Sequence, residues 1–189
     1  MTIEPRTVVE PGFGTLEIFP LDPAEETLHR LFTDLFRDHW NSFMFGPFIQ
    51  GAVFEIKAPN APERISLNNG YLTVDFGPWY FHLCIGEYKG SAQNPIEPEV
   101  AQQRRTACAE FYRRLNPDGS AGSWGIRLFN GKGEQQITIF LPSPFYSDEM
   151  KRLETPDWSR LALWDDLRRR YLSLGPDPKD RSANTSSHG

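Results

Sequence analysis

Cysteine is nearly absent from this chain. Two thiols, Cys84 and Cys108, in 189 residues cannot frame a fold with disulfides. Long apolar runs are missing too: no stretch approaches the roughly 18 apolar residues a membrane-spanning helix needs. Positive charge is in the minority, with 20 Lys and Arg against 25 Asp and Glu and a formal net charge of −5. That balance argues against non-specific binding to nucleic acid or to an anionic membrane, since both need a basic surface. Met1 to Pro11 carries Glu4 and Glu10 and has no apolar stretch of the signal-peptide kind. A cytoplasmic protein with reduced thiols is the expectation.

Several signature motifs are also missing. Gly12 and Gly14 lack the third glycine and the helix of a phosphate loop. There is no zinc-finger spacing, no paired-histidine helix motif and no Gly-x-Ser-x-Gly elbow.

Aromatic residues are abundant, at 13%, with 14 Phe and 5 Trp. Their large buried areas point to a ring-rich core built on a sheet. Apolar residues at 28, 31, 32, 35 and 36, continued by Trp40, predict a first helix. Asp22 is its expected N-cap and Pro23 its first residue. His29 and His39 flank the stripe and read as boundary residues. From Gly51 to Glu87 the period changes to two. Asn69-Gly70 supplies the positive φ of a tight hairpin between Ile65–Leu67 and Tyr71–Phe76. Trp79–Glu87 is apolar on both faces and is expected at the centre of the sheet.

Pro98–Leu115 reads as a second helix whose inner face holds Val100, Arg104, Cys108, Phe111 and Leu115. Two further strands, Ser123–Phe129 and Gln135–Leu141, are joined by the turn Asn130–Gly133. A last helix, capped by Thr155 with Pro156 following, presents Leu161, Trp164, Leu167 and Tyr171. Arg168, Arg169 and Arg170 sit in its final turns, where positive charge suits the helix dipole. The expected fold is α+β, with a mainly antiparallel sheet of about five strands and three main helices. Residues 1–174 are expected as a single domain and residues 175–189 as a disordered polar tail.

Chemistry concentrates on Tyr80–Glu87. Alternate strand residues share a face, so Tyr80, His82, Cys84 and Gly86 point one way. His82 and Cys84 are about 6.6 Å apart along the strand, within reach of one divalent transition metal ion. A third ligand must come from elsewhere, with Asp75, Glu87, Cys108 or a first-helix histidine available. The alternative is that Cys84 is a small core residue and His82 a hydrogen-bonded one. A Cys84 nucleophile would need a depressed pKa and a base, and a strand supplies neither readily. Cys108 is expected in the core. Arg127, within an aromatic strand, calls for a carboxylate such as Asp75 or Glu87, or for an anionic ligand. Trp124 and Tyr80, with Tyr71 and Trp79, could line such a pocket. The leading reading is a small-molecule or metal-ion site on a sheet face with Arg127, Asp75, Trp124, Tyr80, His82 and Cys84. An accessory protein with a protein partner, and an enzyme using Cys84 or scattered residues, are the alternatives.

Overall fold

The computed structural model describes residues 5–49 and 51–184. In chain order the elements are β1 (Arg6–Glu10), β2 (Gly14–Leu21), α1 (Glu25–Asp38), β3 (Met44–Gly46), β4 (Phe48–Ile49), β5 (Ala52–Val53), β6 (Ile56–Lys57), β7 (Arg64–Asn68), β8 (Tyr71–Asp75) and β9 (Tyr80–Cys84). They continue with α2 (Pro98–Arg104), β10 (Thr106–Leu115), β11 (Ala121–Asn130), β12 (Gln135–Phe140) and α3 (Ala162–Leu172). Short 3-10 turns occupy Trp158–Leu161 and Pro178–Arg181. The α+β class holds, but the sheet count does not. The largest sheet has seven strands in the order β1-β2-β10-β11-β12-β3-β6, and sheets of two (β4-β5) and three (β7-β8-β9) strands stand beside it.

The extra strand has a definite origin. Pro98 does open a helix, but that helix ends at Arg104, and Arg105 is already extended, with ψ 155°. Thr106–Leu115 is a strand, not the second half of a helix. Its Cys108, Phe111 and Leu115 fit helical spacing by coincidence, while Thr106, Phe111 and Tyr112 carry the side chains strands prefer. Cys108 is consequently exposed rather than in the core. The short strands β1, β3 and β6 also join the seven-stranded sheet, while the expected strands β7, β8 and β9 form the separate three-stranded one.

The chain forms two compact units. Among the described residues, one takes in 5–21, Glu110–Ile126 and 140–184; the other comprises those within Asp22–Ala109 and Arg127–Ile139. In the second unit α1 buries Leu28, Leu31, Phe32, Leu35 and Phe36 as its periodicity predicts. Phe36 meets the rings of Phe43, Phe45, Phe76 and Phe81 at centroid distances of 5.0–6.0 Å. The helix starts two residues later than its sequence suggests. Asp22 Oδ1 accepts from the Ala24 N–H, closing the turn before the helix, and Ala24 is the residue at the N-cap. The Asn69-Gly70 turn joins β7 to β8 with φ of 48° and 79°, as a primed hairpin requires.

In the first unit, Phe19 of β2 and Phe111 of β10 pack against Trp164 of α3, at 6.1 and 5.9 Å between ring centroids. Asp157, not Thr155, caps the turn leading into α3 by accepting from the Ser159 N–H. Ser173, in the left-handed region, ends α3 before Gly175. Residues 175–184 differ from the expected polar tail: Pro178–Arg181 is ordered into a 3-10 turn and Asp180 within it is fully buried. Residues 185–189 lie outside the described residues. Among the described residues no helix is long and apolar enough to cross a membrane.

Candidate functional site

The strand with His82 and Cys84 is β9. It lies at an edge of the three-stranded sheet rather than at the centre of the main one, and β8 is the middle strand. Phe81 and Leu83 supply its apolar inner side, with Leu72 and Val74 of β8 fully buried beside them. The outer side carries the polar and aromatic groups. Cross-strand pairing sets Asp75 opposite Tyr80, Thr73 opposite His82 and Tyr71 opposite Cys84. His82 Nδ1 and the Thr73 hydroxyl are 2.7 Å apart, in hydrogen-bond contact. The His82 ring is 5.1 Å from Tyr80 and 6.4 Å from Tyr71, and Tyr71 also meets Tyr88 at 5.1 Å. His82 and Tyr80 are exposed, so this face looks to solvent.

Cys84 shares the His82 face but not its exposure. It is 5% exposed, and its Sγ–H points to the Gly86 carbonyl at 3.5 Å. Burial pushes the Cys84 thiol up; a hydrogen bond from Tyr71 and the nearby Arg104 charge only partly oppose this. Burial likewise raises the Tyr71 phenol, helped by Cys84. A thiol held this way is not primed as a nucleophile.

Of the anticipated site residues, Asp75, Tyr80, His82 and Cys84 come together on this face. Arg127 and Trp124 lie on β11, in the seven-stranded sheet. Asp75 accepts from Arg64 at 3.1 Å and from the Gly77 N–H at 3.0 Å. The Arg127 guanidinium lies 5.1 Å from the centre of the Phe129 ring. In the first unit, the Trp124 indole N–H donates to Asp180 Oδ1 at 2.8 Å. Among the described residues no group of three His, Cys, Asp or Glu side chains could hold a metal ion.

Just beyond the C-terminal end of β9 the second unit opens into a cleft of about 530 Å³. Its floor is Ile85–Glu87, one wall is the entry to α1 (Asp22–Glu25), and the other is Arg105–Ala107. Local chemistry explains each wall. The Ile85 and Gly86 N–H groups both donate to the Gly70 carbonyl, which fastens the floor to the hairpin turn. The Thr106 hydroxyl contacts the Cys84 carbonyl at 3.1 Å and Gln136 Oε1 at 2.8 Å, fixing the far wall. The Glu25 carboxylate lies over Gly86, where a Cβ would displace it. Asp22, Glu25 and Glu87 bring three carboxylates to the cleft, and Arg105 one guanidinium. Pro23, Ala24, Ile85 and Ala107 add apolar surface. Sequence reading missed this site because its residues sit in three separate segments with no motif spacing. The one local signal was Gly86, placed within an otherwise apolar strand.

Comparison with known proteins adds a family. Residues 5–173 match the model of a family of unknown function, DUF7676. The chain belongs to this family. The match takes in both units and every residue of the cleft. A solved structure described as "Crystal structure of ChuX" is similar with a TM-score of 0.46 and 12% identity, covering 82% of this chain and 76% of that one. No curated protein matches the chain.

Proposed function

We propose that this DUF7676 protein binds a small organic molecule in the cleft at the start of α1. The observation that carries the reading is the cleft itself: a concavity of about 530 Å³ lined by Asp22, Glu25, Glu87 and Arg105 among apolar residues. Ligand sites commonly fall between about 300 and 1,000 Å³ and combine an apolar lining with a few fixed polar groups. The charges suggest the ligand class. Three carboxylates outnumber one guanidinium, so a ligand with a cationic amine on a compact apolar body complements the site best. Glu25, laid over Gly86, and Glu87 would take the amine; Arg105 would take an acceptor on the same molecule.

The test is a thermal-shift and calorimetric screen of primary and quaternary amines against the intact protein. An amine that binds the wild type should lose at least about tenfold in affinity in Glu87→Gln, the cost of one charge-assisted contact. Glu25→Gln should weaken it similarly. Failure of every amine to bind, or binding indifferent to both substitutions, would sink the reading.

The outer face of the three-stranded sheet supports a second reading, contact with a protein partner. Its specific support is Tyr80, 60% exposed beside the exposed His82 on an edge strand. Tyrosine on a sheet edge is well suited to a protein interface. A metal ion held by His82 and Cys84 would need further donors from a ligand or partner, and the Thr73 hydroxyl now occupies His82 Nδ1.

A further inference from the structure

In the first unit four donors converge on one carboxylate. Asp180 Oδ1 accepts from Arg113 Nη1 at 2.9 Å and from Trp124 Nε1 at 2.8 Å. Asp180 Oδ2 accepts from Trp164 Nε1 at 2.9 Å and from Arg168 Nη1 at 3.1 Å. Asp180 is fully buried, and Arg113, Trp124, Trp164 and Arg168 are each no more than 3% exposed. Two guanidinium groups and two indole N–H groups thus donate to both oxygens of one buried carboxylate, each oxygen taking one bond from a charged donor and one from a neutral donor.

Each donor is held in place without help from Asp180. Arg113 Nε donates to Glu17 Oε2 at 2.6 Å, and its Nη1 also pairs with Asp177 at 2.8 Å. The Arg168 guanidinium lies over the rings of Phe19 and Trp164, at 4.9 and 5.2 Å. Trp164 is wedged against Phe19 and Phe111, and Trp124 stacks on Phe145 at 6.4 Å. The four donors come from β10, β11 and α3. The carboxylate comes from the short turn Pro178–Arg181, beyond residue 173 where the family match ends. The charges also separate. Arg113, Arg168 and Lys179 face Glu17, Asp177 and Asp180, so removing Asp180 leaves one uncompensated positive charge in a closed site. That is a large cost, which a monovalent carboxylate presenting two oxygens to the four donors relieves.

We propose that Arg113, Trp124, Trp164 and Arg168 form a carboxylate-binding site, filled in this chain by its own Asp180, and that a small free carboxylate occupies it when the Asp180 side chain is removed. A structural ion cluster would require Asp180 itself. A binding site requires only a carboxylate of the right size.

The experiment uses the full-length Asp180→Ala protein, with its unfolding midpoint measured in sodium formate and in sodium chloride at matched ionic strength. The expected result is a lowered midpoint in chloride and a formate-dependent recovery of about 3 °C or more, absent from the wild type. The Trp124 and Trp164 indole N–H resonances should shift with formate in the variant alone. Asp180→Asn, whose amide fills the space, should not recover. Equal midpoints in the two salts, or the same response in wild type and variant, would overturn the proposal. Should Asp180→Ala be insoluble, it is refolded from denaturant in each salt. Native tryptophan fluorescence regained in formate alone supports the site; the same yield in both salts, including none, overturns it.

Discussion

At the scale of single residues, the two thiols show how little spacing says about exposure. Cys84 sits under Tyr71 at the mouth of a turn, and burial pushes its thiol up. Cys108 lies on β10 with its side chain exposed. Because the thiolate is the reactive form, timed alkylation near neutral pH should label Cys108 first and leave Cys84 largely intact until denaturant is added. Peptide mass spectrometry reads both sites at once, and faster labelling of Cys84 would contradict its placement. His82, by contrast, is exposed and held by surface contacts with Thr73, Tyr80 and Tyr71. Its loss should cost little stability, which leaves His82→Ala usable for testing the protein-partner reading.

At the scale of elements, the β7–β8 hairpin determines the floor of the cleft. Gly70 has a φ of 79°, and a Cβ there would lie 2.6 Å from the Glu87 carbonyl carbon. Its carbonyl receives the Ile85 and Gly86 N–H groups. Gly70→Ala should therefore destabilise the protein by about 1–3 kcal/mol through left-handed strain and crowding. The effect should also be local, with faster amide exchange at Ile85 and Gly86 than in α1. Uniform acceleration across the unit would show that the turn does not act on the floor specifically. Asn69-Gly70 was legible in the sequence because the turn's dihedral needs are met by those two residues alone. The fate of Thr106–Leu115 was not, because helical and extended arrangements both bury Phe111 and the choice depends on partners remote in sequence.

At the scale of the molecule, acid stability should follow the ion cluster of the first unit. Burial by itself would raise the Glu17 pKa, but hydrogen bonds from Lys179 and Arg113 overcome it and hold it below the ordinary value. Asp177 is lowered in the same way, burial being outweighed by the Lys179 N–H and Arg113. A carboxylate with a depressed folded-state pKa stabilises the fold above its unfolded value, about 4.3 for Glu and 3.9 for Asp. That stabilisation is lost as the pH falls through the lower folded values. Thermal midpoints should thus hold above about pH 5 and fall steeply below pH 4. Glu17→Gln should be less stable at neutral pH and show a shallower acid limb. An acid limb unchanged by that substitution would remove Glu17 from the account.

Local physics settled a good deal of this from sequence: the α+β class, the buried stripe of α1, the primed turn at Asn69-Gly70, and Trp164 and Leu167 on the buried face of α3, where Tyr171 is only half-buried. Each depends on neighbouring side chains and on dihedral preferences that act within a few residues. Tertiary structure decided the rest. It placed β9 at an edge, exposed Cys108, and set Arg127 and Trp124 in a different sheet from Asp75 and Tyr80. It also turned Arg168, which reads as a dipole-compensating helix end, into a buried partner of Asp180. The cleft and the four-donor site each gather side chains from three or more separated segments. Only the closing of those segments on one another gives their charges a common focus.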